Sequence, residues 1–207
     1  MSKLLHLDSS GKGSLSVTRP LTEYFASKWK ESNPAGQVIY RDLMQSNLQF
    51  VNADTVGAFY TPEDKLMPEQ RKVLAASNSL ISELLDADTY VFGVPMYNFA
   101  IPAVFKAYID LVVRAGKTFS YEGGKPAGLL LNRKLIVITA SGADYKTEPA
   151  KSLDFVEPYI RTIMKFVGVM DITFIKAHGH DPETISTTTK AAKDTIDGVF
   201  HAHLGAR

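Results

Sequence analysis

The chain has 207 residues, 45% of them hydrophobic and 22% charged, with a formal net charge of +1. That is enough for one substantial core and lacks the basic excess, or any Lys/Arg-rich block, of a nucleic-acid-binding surface. The absence of cysteine excludes disulfides, thiolate metal sites and thiol catalysis and fits a reducing compartment. The opening MSKLLHLDSS is too short in apolar length for a signal peptide and no apolar run approaches a membrane span, so the expectation is one cytoplasmic domain over residues 1–207 with no membrane contact.

Short apolar runs alternate with stretches of helical period. Residues 3–7 read as a first strand. Leu21, Tyr24, Phe25, Lys28 and Trp29 then recur at i, i+3, i+4, i+7 and i+8, with Pro20 near the first turn and NPAG (33–36) as the stop, the signature of an amphipathic helix. A second strand is expected over 38–40. Leu74, Ile81, Leu84 and Leu85 form the stripe of a helix starting near Pro68, and 90–94 is a third strand. Phe105, Tyr108, Ile109 and Val112 share a helical face behind Pro102. YEGGKPAG, within 118–131, suggests a small hairpin. Strands over 135–139 and 172–175 enclose a helix read from Phe155, Tyr159, Ile163, Phe166 and Val167. A last helix over 182–203 turns Ala192, Ile196, Val199 and Phe200 inward.

Five strands alternating with five helices predict an α/β doubly wound parallel sheet of flavodoxin-like order 2-1-3-4-5, with helices on both faces. Ligands bind such sheets at the carboxyl ends of the strands, so the loops after strands one, three and four are the places for chemistry. Residues 43–67 break the spacing. They carry Leu48, Phe50, Val51, Phe59 and Tyr60 in a connection longer than usual, which suggests a lid or a subunit contact.

The first loop, DSSGKGSLSVT, is rich in hydroxyls and glycine and enters a helix N-terminus, where free N–H groups and the dipole favour an anion. The spacing of a P-loop is absent, and Gly11-Lys12-Gly13 is followed by Ser16 where a dinucleotide fingerprint needs a third glycine, although Asp42 at the end of strand two would suit a ribose. A monophosphate held by Ser10, Ser16, Thr18 and backbone N–H groups is the third reading, against a solvated loop with Thr18 as helix cap. After strand three, VPMYNFAIP places Met96, Tyr97, Asn98 and Phe99 in a turn. These residues suit the walls and orienting amide of a flat ring, or else three core residues with Asn98 as a cap. After strand four, Ser141 and Gly142 in TASGADY permit close backbone approach.

Most of the chain resembles the FMN-dependent NADH-azoreductases, also described as FMN-dependent NADH:quinone oxidoreductases. The likeness rests on Ser9-Ser10, Ser16-Val17-Thr18, PMYNF at 95–99, RAGKTFSY at 114–121 and VITASGA at 137–143, of which PMYNF is the most specific. The resemblance implies a flavodoxin-like homodimer with FMN near the subunit interface. By position it implies phosphate contacts from Ser10, Ser16, Val17 and Thr18, and ring contacts from Pro95, Met96, Tyr97, Asn98 and Phe99 and from Ala140, Ser141, Gly142 and Ala143. That last loop departs from the family's S-R-G-G by one hydroxyl, one Arg and one Gly. Phe99, Phe119 and Tyr121 are the expected walls over the nicotinamide or acceptor.

The implied activity is transfer of two electrons from NADH or NADPH to a quinone or azo compound by ping-pong kinetics. The hydride chemistry lies on the cofactor, so no catalytic acid or base is expected. The rival is a flavodoxin-type electron carrier without its own NADH oxidation, which the near-neutral charge disfavours. Lys12, Arg19 and Arg114 are candidates for a 2′-phosphate. His178, His180 and Asp181 read as a strand end with Asp181 capping the last helix rather than as a metal site, and His6 as a core histidine.

Overall fold

The computed structural model describes residues 1–204. In chain order the elements are β1 (Lys3–Asp8), α1 (Thr18–Ser32), β2 (Gln37–Asp42), α2 (Ala53–Tyr60), α3 (Pro68–Asp86), β3 (Thr89–Gly93) and α4 (Ala103–Val112). There follow β4 (Phe119–Glu122), β5 (Lys125–Gly128), β6 (Lys134–Ser141), α5 (Val156–Phe166), β7 (Asp171–His178) and α6 (Pro182–Leu204). Five strands form a parallel sheet in the order β2-β1-β3-β6-β7, while β4 and β5 pair antiparallel as a separate hairpin. Leaving the hairpin out of the count recovers the expected 2-1-3-4-5.

Strand alternation explains why the strands read as continuous apolar runs. Leu4, Val91, Ile136 and Ile138 turn to one face, where Leu21, Phe25 and Trp29 of α1 and Ala192 and Ile196 of α6 cover them. Leu5, Leu7, Tyr90, Phe92, Leu135 and Val137 turn to the other, against α3, α4 and α5. Both faces are dry, so neither can be polar.

Three expectations need correction. Leu85 is 42% exposed, because α3 buries Leu74, Ser77, Leu80, Ile81 and Leu84 instead. On α5 the deeply buried residues are Val156, Ile160, Met164 and the following Val167. Tyr159, Ile163 and Phe166 flank them half-buried, and Phe155 is 57% exposed ahead of the helix. Residues 43–67 contain a sixth α-helix, α2. It is capped by Asn52, whose side chain accepts the Thr55 N–H at 3.0 Å, and it packs on α3.

Arg114 explains how this segment is held. It is 7% exposed and donates to Ser77 Oγ at 2.8 Å and Asn78 Oδ1 at 2.7 Å, with its guanidinium 4.7 Å from the Phe59 ring centroid. Burial lowers its pKa. A group so enclosed clamps α2 onto α3 and is no candidate for a 2′-phosphate.

Candidate active site

The loops after β1, β3 and β6 meet at the carboxyl edge of the sheet. Ser9 locks the first to β3: its N–H and its hydroxyl both donate to the Gly93 carbonyl, at 3.0 and 2.7 Å. Gly93 itself is required, because a Cβ there would sit 2.5 Å from Asp8 Oδ1 and 3.0 Å from Thr22 Cγ2. Beyond this anchor the loop wraps over a short 3-10 turn, Gly13–Leu15, and enters α1. Ser10, Ser16 and Thr18 are all buried. The Ser16 and Thr18 hydroxyls lie 3.3 Å apart, and Ser16 Oγ accepts the Arg19 N–H at 3.2 Å. Ser16 therefore performs the capping expected of Thr18, which is the first residue of the helix.

The Ser16 and Thr18 hydroxyls thus stand at the N-terminal N–H groups of α1, with Ser10 Oγ accepting the Lys12 N–H at 3.4 Å earlier in the same loop, a hydroxyl and N–H set that suits a phosphate. Val17 contributes backbone only, with no side-chain cap bond.

Behind the loop lies a polar network that sequence reasoning missed. Arg19 donates to the Ser10 carbonyl through Nε and Nη2, at 3.3 and 2.9 Å, and to Asp42 Oδ1 through Nη2 at 2.8 Å. Its Nη1 reaches Tyr40 Oη at 3.2 Å and lies 3.8 Å from Asp8 Oδ2. The buried Asp8 carboxylate also accepts from Thr22 Oγ1 at 2.9 Å and Tyr40 Oη at 3.2 Å. The hydrogen bond that Arg19 donates to Asp42 raises the Arg19 pKa against the opposing effect of burial. Burial pushes the Asp42 carboxyl up, but Arg19 and the Met44 N–H outweigh it and hold it below the usual range. Asp42 is thus committed to Arg19 rather than free for a ribose.

His6 is buried edge-on to Tyr40, with ring centroids 4.8 Å apart and Nε2 3.4 Å from Asp8 Oδ2. Nε2 makes no hydrogen bond among the described residues, so His6 lies in the core as expected but is not satisfied there.

The turn after β3 is built on two left-handed residues. Asn98 has φ 50° and Phe99 φ 70°, and Tyr97 and Ala100 exchange both backbone hydrogen bonds at 2.9 and 3.0 Å. This is the two-residue geometry that glycine or asparagine ordinarily supplies, and an aromatic there is strained. Its consequence is exposure: Asn98 is exposed and Phe99 is 45% exposed, while Pro95 stays buried and Met96 and Tyr97 are half-buried. The alternative in which Asn98 caps the next helix fails, since α4 begins at Ala103 behind Pro102.

The Met96 N–H donates to the Ala140 carbonyl at 2.8 Å, tying the turn to β6. Past β6, Ser141 Oγ closes onto the Ala143 carbonyl at 2.7 Å, and Gly142 has open space where a Cβ would stand. The Phe99 ring meets Tyr145 edge-on at 6.4 Å, and its carbonyl accepts the Phe155 N–H at 3.0 Å.

Not every expected residue reaches this edge. Phe119 packs on Phe166 at 4.7 Å and on Tyr121 at 5.6 Å, at the carboxyl end of α5. The Phe99 turn contacts the residue preceding its amino end. The length of α5, 11 residues or ~16 Å, separates them, so within one chain Phe119 and Tyr121 do not wall the same cleft. Asp181 does cap α6, accepting the Thr184 N–H at 2.8 Å, and the His178 carbonyl is taken by Thr188 Oγ1 at 2.6 Å.

With this geometry in hand, comparison places the chain. A family model described as "Flavodoxin-like fold" matches residues 2–199. The FMN-dependent NADH:quinone oxidoreductase 1 of Trichormus variabilis is 46% identical over 175 residues, 84% of this chain and 83% of the relative. The FMN-dependent NADH:quinone oxidoreductase of Herminiimonas arsenicoxydans is 42% identical over 86% of this chain and 88% of its own length. Among solved structures, an azoreductase from Bacillus anthracis strain Sterne superposes with a TM-score of 0.88 at 29% identity, covering 97% of this chain and 99% of its own. A B. anthracis FMN-dependent NADH-azoreductase solved in complex with FMN gives 0.82 at 25%, covering 96% and 99%. The chain belongs to the flavodoxin-like family of FMN-dependent NADH:quinone oxidoreductases and azoreductases.

Proposed function

We propose that the chain is an FMN-dependent oxidoreductase that passes two electrons from NADH or NADPH to quinones and azo compounds by a ping-pong mechanism, and that residues 1–207 form one FMN-binding domain. The observation that carries this reading is the convergence of three strand-end loops: a hydroxyl-and-N–H cradle at the start of α1 and, beside it, an inverted turn presenting Asn98 and Phe99. The donor set fits the cofactor's phosphate, and the half-buried Met96 and Tyr97 with exposed Phe99 suit an apolar ring. When bound, FMN supplies hydride acceptance from the nicotinamide donor and two-electron delivery to the acceptor.

In this reading Ser10, Ser16, Thr18 and the Val17 backbone hold the phosphate. Pro95, Met96, Tyr97, Asn98 and Phe99 bound the ring on one side, and Ala140, Ser141, Gly142 and Ala143 on the other, with Asn98 orienting it. A donor and an acceptor that use the same exposed face in turn cannot both be present, which is why ping-pong kinetics follow. No side chain of this edge is assigned proton transfer.

A homodimer completes the acceptor site in this reading. Phe119 and Tyr121 lie too far away on their own chain, Tyr121 is 66% exposed, and the 43–67 segment presents Phe50 and Tyr60 at 73% and 83% exposure. Residues like these, placed at the second copy's cleft, give the acceptor an aromatic wall that one chain lacks. Of the three candidates for a 2′-phosphate, Arg19 and Arg114 are committed elsewhere.

An anaerobic absorbance spectrum of the protein loaded with FMN, taken before and after NADH and then after benzoquinone, tests the function. Bands that vanish with NADH and return with quinone support it. Bands untouched by NADH but bleached by a partner reductase would make the chain a carrier instead.

A further inference from the structure

Beyond the Phe99 turn a second cleft, of about 760 Å³, runs along the outer edge of β7 between α5 and α6. Its size falls within the ~300–1,000 Å³ typical of small-molecule sites. Tyr145 belongs to both places, meeting Phe99 at one end and lining the cleft at the other. A ligand lying over Phe99 can therefore continue into the cleft without leaving the protein surface.

The charges inside are largely paired. Lys176 Nζ lies 3.0 Å from Asp154 and 2.6 Å from Glu157, and Glu157 also holds Arg161 at 2.7 Å. Lys146 and Lys151 line the same cleft, are exposed, and have no ion pair among the described residues. They leave its mouth cationic.

The floor is an open strand edge. Arg161 Nη1 donates to the Ile172 carbonyl at 3.2 Å, and Thr188 Oγ1 engages both the N–H and the carbonyl of His178, at 3.2 and 2.6 Å. These contacts close the two ends of β7. Backbone groups of alternate residues face the same way, so the Phe174 carbonyl and the Lys176 N–H face outward between the closed ends. The Phe174 N–H and the Lys176 carbonyl face outward with them, but two residues are too short a template for an added peptide strand, which leaves the Phe174 carbonyl beside the Lys176 N–H as a small acceptor–donor pair. It complements the adjacent amino donor and ring-nitrogen acceptor of adenine.

We infer that this cleft holds the adenosine diphosphate half of the nicotinamide donor, with adenine on the β7 edge at Phe174 and Lys176 and the pyrophosphate at Lys146 and Lys151. The inference rests on the reading of the chain as a nicotinamide-oxidising flavoenzyme. It assigns donor binding to α5, β7 and the 145–151 segment, leaving the cleft over Phe99 for the nicotinamide and acceptor rings.

The test compares wild type with K146E/K151E, both as FMN-loaded full chains, in anaerobic rapid-mixing reduction by NADH and by 1-benzyl-1,4-dihydronicotinamide, which has neither phosphate nor adenine. The expected result is a rise of about tenfold in the NADH concentration needed for half-maximal reduction, the size of two reversed exposed contacts. The benzyl donor and FMN affinity stay unchanged. Equal loss with both donors, or no loss with NADH, overturns the inference. If NADH does not reduce the wild-type flavin, the function reading falls and the assignment with it; if NADH reduces the wild type and K146E/K151E equally well, the cleft assignment falls alone.

Discussion

The Tyr97 hydroxyl accepts the Gly11 N–H at 3.0 Å, so one hydrogen bond spans from the turn after β3 to the loop after β1. A phosphate and a ring bound by these two segments would have their separation set by this contact. Replacing Tyr97 by Phe keeps the aromatic body and removes the acceptor. A net hydrogen bond is worth ~0.5–1.5 kcal/mol, so Y97F should weaken FMN binding about three- to tenfold in a flavin-fluorescence titration. An unchanged dissociation constant would mean that the two loops are positioned independently.

Arg19 should act on the phosphate end alone. Its two bonds to the Ser10 carbonyl and one to Asp42 fix the loop from behind without occupying the cradle. Lysine preserves the charge but not the fork. The expected result for R19K is about a tenfold loss of FMN affinity, as for a misplaced charge-assisted site, with riboflavin affinity unchanged because riboflavin has no phosphate. Parallel loss of both flavins would reduce Arg19 to a general structural role.

The two loops of the cradle were legible because their chemistry is written locally: hydroxyls before a helix, and Met, Tyr, Asn and Phe where a turn is due. The network behind them was not. Asp8, Arg19, Tyr40 and Asp42 come from three elements, and no spacing in the sequence announces that they meet. The α5 stripe failed for a different reason. Phe155, Tyr159, Ile163 and Phe166 have the helical period, but so do Val156, Ile160, Met164 and Val167 one position on. Only the position of the sheet decides which set is buried. The helix within 43–67 is eight residues long, too short for periodicity to separate it from a loop.

Phe99 holds a left-handed backbone that costs roughly 1–3 kcal/mol for a residue with a bulky side chain. F99G should relieve this strain and raise the denaturation midpoint, offset in part by the unfolded-state entropy of glycine. It should also lower kcat/KM for quinone by removing the exposed ring. Opposite signs for stability and activity are the diagnostic result. A variant that loses both would show that the ring at 45% exposure is held chiefly by packing against Tyr145.

Acid should loosen the site and the donor cleft together. Burial pushes the Glu157 and Asp42 carboxyls up; Lys176 and Arg161 in one case, and Arg19 with the Met44 N–H in the other, outweigh it and hold both below the ordinary range. A carboxyl lowered on folding stabilises the native state fully above its unfolded pKa, near ~4. That contribution is lost as pH falls through the lowered folded value. The urea midpoint should therefore change little on these groups' account from pH 7 to pH 5 and decline below about pH 4. E157Q should begin less stable, because Lys176 and Arg161 lose a shared partner, and should decline less steeply over the acid range. An E157Q curve parallel to wild type would place the acid sensitivity in other carboxylates.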